Sequence, residues 1–199
     1  MSDTHAVGRI VFGVLVAAAL VVGAAPAEAQ RARSVNEARA LRAVLAHRGA
    51  GRRWRTIVLH HSATPAGSPQ AFEAWHRGHR RFAYGMAYPF VIGNGRGMPD
   101  GHIEAGSRWR LQQQGAHVAA RLRDERGSSV AAHAIGVCLV GDFERSRPTR
   151  AQLASLTRLL RALQRRYGIA SNAVHGHGEV HPGHTACPGR ALREWQRSG

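Results

Sequence analysis

Apolar and polar positions fall in blocks along this chain, and the period changes from block to block. Residues 10–25, IVFGVLVAAALVVGAA, form an unbroken apolar run. In SVNEARALRAVLAHRG (34–49) the apolar positions Val35, Ala38, Leu41 and Leu45 recur at helical spacing. Ser34 and Glu37 have capping-box spacing, and Gly49 can stop the helix. A basic, glycine-containing stretch, RGAGRRWR (48–55), links this helix to the first strand. TIVLHH (56–61) is β-branched and aliphatic and reads as a buried strand. ATPAGSP turns the chain, and Ser68 followed by Pro69 opens a helix over QAFEAWHRGHR. Residues 88–106 read as a hairpin, a strand and a second strand around a glycine-rich turn. AIGVCLVGDF (134–143) is another apolar strand. TRAQLASLTRLLRALQRRYG (149–168) is the clearest helix. Thr149 and Gln152 can cap it, Leu153, Leu156, Leu160, Leu163 and Tyr167 make its stripe, and Gly168 ends it. NAVHGHGEV (172–180) reads as a short strand, HPGHTACPG as a loop, and RALREWQR as a last helix.

Strands and helices alternate, which predicts a single α/β domain: a central mixed sheet flanked by helices, with a short N-terminal helix ahead of it. Strand order is not fixed by the pattern. The expected organisation is a leader over 1–29, the helix and basic linker over 30–53, and the main domain over 54–199.

The chain has 199 residues and a formal charge of +16, and every basic residue is arginine. Such a protein is drawn to polyanions: nucleic acid, anionic lipid or acidic cell-wall polymers. The N-terminus narrows that choice. One arginine precedes the apolar run, and Ala27 and Ala29 give a small-x-small cleavage site, the three-part pattern of a secretory signal peptide. The run counts 16 residues, short of the about 20 that span a bilayer. The expectation is an exported protein, periplasmic or extracellular, touching the membrane only through this segment if it stays uncleaved. An exported protein with 6% aromatic residues is a poor nucleic-acid binder. Envelope polymers are the better partner.

Of the 13 histidines, most sit among polar neighbours and read as solvated. Three positions stand apart. His60 ends the first strand, His177 lies in the late strand, and Cys187 is followed by Pro188 and Gly189. Two imidazoles and a thiolate make an inner shell for zinc with one position open, the catalytic arrangement. The spacing is not that of a local zinc motif. Two cysteines in an oxidising compartment also fit one disulfide, Cys138 with Cys187.

Six segments in order, IVLHHSAT, AYPFVIGNG, GHIEAG, GAHV, AIGVCLVGDF and GHGEVHPGHTACPG, resemble the type 2 N-acetylmuramoyl-L-alanine amidases, with which the peptidoglycan recognition proteins are grouped. The resemblance spans about residues 54–195. It implies a monomeric zinc enzyme, one ion per chain, that hydrolyses the amide between N-acetylmuramic acid and L-alanine in peptidoglycan or muropeptides. The implied ligands are His60, His177 and Cys187. The implied catalytic donors are Tyr88 and Thr185, and His117 is implied as a substrate contact. Cys138 then becomes a buried thiol, because a bridge to Cys187 would remove a ligand. The alternative the family offers is a non-catalytic peptidoglycan-binding protein, against which Cys187 speaks. Pro89, His133 and the insert 122–132 depart from the family pattern and bear on substrate preference.

Overall fold

The computed structural model describes residues 35, 38–48, 50–183 and 185–198. The leader, the capping residues Ser34 and Glu37, Gly49 and His184 lie outside the described residues.

Five strands form one mixed sheet: β1 (Thr56–His61), β2 (Phe90–Ile92), β3 (Ile103–Ala105), β4 (Ala134–Leu139) and β5 (Val174–Gly176), in the order β3-β2-β4-β1-β5. Four are parallel to their neighbours, and β3 pairs antiparallel with β2 at one edge. The helices are α1 (38–45), α2 (Pro69–Arg80), α3 (Ser107–Arg110), α4 (Val130–His133), α5 (Arg150–Tyr167), α6 (His177–Val180) and α7 (Arg190–Ser198).

Alternation along the strands sorts side chains into two faces. Ile57, Leu59, Phe90, Ile92, Ile135, Val137 and Leu139 face one side, where Leu45 of α1, Leu156, Leu159 and Leu163 of α5 and Leu192 of α7 cover them. The N-terminal helix therefore shares the core of the main domain. The opposite face carries Val58, Val91, Ala134, Cys138 and Val140, covered by Val118, Val130, Met86 and Met98. His60 shares that second face with Val58.

Three elements differ from the sequence reading. The buried line of α5 runs through Gln152, Ser155, Leu156, Leu159 and Leu163, while Leu153, Leu160 and Tyr167 are only partly buried. Two polar residues can sit there because their bonds are met inside. Gln152 Nε2 donates to the carbonyls of Ile92 (3.2 Å) and Val140 (2.9 Å), and Ser155 Oγ donates to Gly101 O (2.6 Å). The hairpin forms, with Phe90 opposite Ala105, but Tyr88 precedes its first strand. The late strand stops at Gly176, and His177 opens the helical turn α6. Glu179 Oε2 accepts the Gly176 N–H at 2.7 Å, which takes that donor and turns the chain. The capping box of α5 is as expected, with Thr149 and Gln152 exchanging bonds and Gly168 closing the helix at φ 66°.

Candidate metal centre

Sheet register brings the first two candidate ligands together. β1 and β5 are parallel, with Leu59 opposite Gly176, and the next residue on each is a histidine. The rings of His60 and His177 lie 4.6 Å apart, at the carboxyl ends of neighbouring parallel strands, where open α/β sheets place their sites.

Cys187 reaches the same point from the loop after α6. Gly178 N–H donates to the Cys187 carbonyl (2.7 Å), Cys187 N–H donates to Thr185 Oγ1 (3.1 Å), and His61 N–H points at Cys187 Sγ (3.4 Å). The Cys187–Pro188 peptide is cis. A Cβ on Gly176 would stand 2.8 Å from the Pro188 ring, so the close approach of this loop to β5 depends on glycine.

The donor atoms of His60, His177 and Cys187 lie within 4.8 Å of one another. Cys187 Sγ is 3.5 Å from His60 Nδ1. Zinc bonds of about 2.3 Å to sulfur and about 2.0 Å to nitrogen, set at a tetrahedral angle, separate their donor atoms by about 3.5 Å. The spacing and the mixed sulfur–imidazole set both fit zinc. Three protein ligands leave a fourth position for another molecule.

The electrostatics suit a cation. Burial first, then the neighbouring imidazoles of His117, His177 and His61, hold His60 well below the ordinary histidine range. Burial, then His181 and His61, bring His177 to about 4. Both rings are therefore neutral at pH 7, with lone pairs available. Burial pushes the Cys187 thiol up to about 12, against the His61 N–H and Arg193. A cation entering the site displaces one proton, from sulfur.

Tyr88 stands beside His60, ring centroids 5.2 Å apart. Burial, then Cys138 and Cys187, raises its phenol well above the usual value. It stays protonated and can donate. Glu73 Oε2 accepts Met86 N–H (2.7 Å) and Arg108 Nε donates to Met86 O (3.1 Å), which fixes the chain leading into Tyr88. Thr185 Oγ1, having accepted from Cys187, still has its own O–H to give.

His117, the implied substrate contact, lies inside the protein behind His60. It is 6% exposed, with Nδ1 3.0 Å from His60 Nε2 and Nε2 3.3 Å from the Ala134 carbonyl. Both ring nitrogens are engaged inside the protein. The cause is the space left by Gly115 and Gly136, whose absent side chains would occupy the position of this ring. Burial lowers His117 to about 3. The His60–His117 contact had no signal in local spacing; it needed the register of β1 against β4.

His61, beside a ligand in sequence, faces elsewhere. Its Nδ1 accepts Phe143 N–H (3.1 Å) and lies 3.9 Å from the Asp142 carboxylate. Cys138 is a fully buried free thiol, and Cys187 is free as well.

A five-stranded mixed sheet, with two histidines at the carboxyl ends of adjacent parallel strands and a cysteine from the following loop, defines an α/β protein with a His–His–Cys group that could hold one metal ion. The chain belongs to the N-acetylmuramoyl-L-alanine amidase family, which residues 50–190 match. Among solved structures it is similar to the N-acetylmuramoyl-L-alanine amidase LysC from Clostridium intestinale URNW, with 27% identity and a TM-score of 0.59, covering 74% of this chain and 85% of that one. It is similar to the endolysine amidase LysCS of the same organism, at 27% identity and a TM-score of 0.54 over 74% and 83% of the two chains. Drosophila peptidoglycan recognition protein SA shares the fold, at 24% identity and a TM-score of 0.58 over 78% and 84%. No curated protein sequence matches the chain. Family membership carries the coarse function: a peptidoglycan amidase, or a recognition protein of the same fold.

Proposed function

We propose that this protein hydrolyses the amide between the lactyl group of N-acetylmuramic acid and L-alanine, with zinc held by His60, His177 and Cys187. The observation that carries the reading is the convergence of those three donors while the Cys187 sulfur remains unbridged. Bound there, zinc would supply Lewis acidity, acidifying water and polarising the amide carbonyl.

The protein's own groups do the rest. His60 and His177, neutral through burial, present lone pairs rather than protons. Tyr88, kept protonated, donates to the carbonyl oxygen as negative charge develops on it. The Thr185 hydroxyl is a second donor on the Cys187 side. Hydrolysis adds the oxygen of water to the lactyl carbonyl carbon, breaks the C–N bond and leaves a carboxylate and a free alanine amine. Both protons of the water end on that amine, which leaves as an ammonium at neutral pH. We also propose export to the envelope, where the arginine excess holds the protein to anionic wall polymer. That attraction weakens with salt.

Digestion of purified sacculi and of soluble muropeptides, with mass analysis of products, tests the reading. The expected products are stem peptides with a free L-alanine amine and sugars with a lactyl carboxylate. Cys187→Ala should lose both zinc and cleavage. Glycan-bond products, or binding of muropeptide without cleavage by zinc-loaded protein, would overturn it; the latter outcome is the recognition-protein alternative.

A further inference from the structure

We infer that His117 is a positioning residue of the metal centre: its Nδ1 accepts the Nε2–H of His60 and so holds His60 with its bare Nδ1 toward the cation. The inference rests on the zinc reading above and adds a residue to it.

The proton positions are set by one group that has no choice. A carbonyl oxygen only accepts, so His117 Nε2, 3.3 Å from Ala134 O, carries the proton of that ring. A neutral imidazole with its proton on Nε2 has an acceptor at Nδ1. That acceptor is 3.0 Å from His60 Nε2, so His60 donates from Nε2. Nδ1 of His60 is then bare, and it is the nitrogen that lies 3.5 Å from Cys187 Sγ. The two rings meet nearly edge-on, at 80°. Direction therefore runs one way, from the Ala134 carbonyl through His117 and His60 to the ligand position.

The site is built for this ring. Gly136 lies on β4 two residues before Cys138, on the face that carries His60. A Cβ there would stand 2.6 Å from His117. Gly115 opens the slot from the other side, where an added Cβ would also collide with the ring. His117 is the wall against which His60 is set.

The choice of acceptor has a chemical consequence. Metal-bound histidines almost always give their second N–H to a carboxylate, a carbonyl or water. Here the acceptor is a neutral imidazole. Two neutral rings and one thiolate leave a divalent cation with a formal +1, which a carboxylate behind His60 would cancel. A centre that keeps its positive charge polarises a carbonyl more strongly. Without an acceptor, the His60 N–H would be a buried unsatisfied donor, and nothing would set which nitrogen faces the cation.

Two variants separate positioning from packing. His117→Asn places an amide oxygen close to the position of Nδ1 and keeps an acceptor; His117→Phe fills the slot without one. Zinc affinity is read by competition with a chromophoric chelator, and ring protonation by imidazole nitrogen–proton correlation spectra of the metal-free protein. The expected result is a 10–100-fold loss of zinc affinity in His117→Phe, on the order of other losses of such partners, with most of it restored in His117→Asn. In the wild type both His60 and His117 should show the Nε2–H form. Zinc binding by His117→Phe equal to wild type, or a His60 proton on Nδ1, would overturn the positioning role and leave the zinc reading standing. A wild type that keeps both Nε2–H forms yet binds no zinc overturns the zinc reading itself, and this role with it. The wild-type spectrum decides alone should His117→Phe fail to fold.

Discussion

Acid should destabilise the metal-free protein well before its carboxylates are protonated. His60 is 1% exposed and His117 6%. Burial holds His60 well below its ordinary value and brings His117 to about 3. In the unfolded chain each titrates near 6.5. The unfolded state therefore binds more protons than the fold between these limits, and stability rises with pH across the window. The contribution is complete above about pH 7.5 and is lost as pH falls through 6.5 toward the folded values. Between pH 7.5 and 5 a ring that stays neutral costs about 2 kcal/mol; His117 contributes that much, and His60 adds to it in the same direction. Against a total of about 5–15 kcal/mol, that is a large share. His76 and His133, also lowered first by burial, act in the same direction. Urea titration with a chelator present reads the effect directly. With a slope of about 2 kcal/mol per molar, the midpoint should fall by at least about 1 M over this range. A midpoint that moves by less than about 0.5 M would refute the claim that both rings are held neutral in the fold.

The packing and the site give three further expected outcomes. Gly136→Ala should cost about 1–3 kcal/mol by overpacking and weaken zinc binding, because its Cβ must displace the His117 ring; denaturation and chelator competition check both. Leu159→Ala should cost about 2–5 kcal/mol, and the same change at half-buried Leu153 clearly less, which a pair of urea curves resolves. Tyr88→Phe should retain zinc and the fold while losing most muropeptide hydrolysis, a result read by metal content alongside product mass.

How much of this is legible in the chain depends on distance. The capping box at Thr149, the strands Thr56–His61 and Ala134–Leu139 and the last helix are local patterns, and the residues that make them are near neighbours. The pattern puts the stripe of α5 through Leu160 rather than Leu159, because Gln152 and Ser155 look like surface residues until the carbonyls of Ile92, Val140 and Gly101 are seen to meet them. The late strand reads too long because apolar Val180 extends the pattern, whereas the bond from Gly176 N–H to Glu179 ends the strand. His60, His177 and Cys187 stand out by residue type and by the family's motifs, but their convergence depends on β5 pairing beside β1, which no local pattern specifies. His117 shows the limit most clearly. Its place behind His60 is decided by two missing side chains, Gly115 and Gly136, one of them on a strand whose partner the pattern does not give.

Zinc-edge X-ray absorption on the purified protein addresses the ligand set most directly. One sulfur at about 2.3 Å, two imidazole nitrogens at about 2.0 Å and one lighter oxygen neighbour are expected, with the sulfur shell lost in Cys187→Ala. A shell of oxygen alone, or a sulfur contribution unchanged by that substitution, would contradict a centre made by His60, His177 and Cys187.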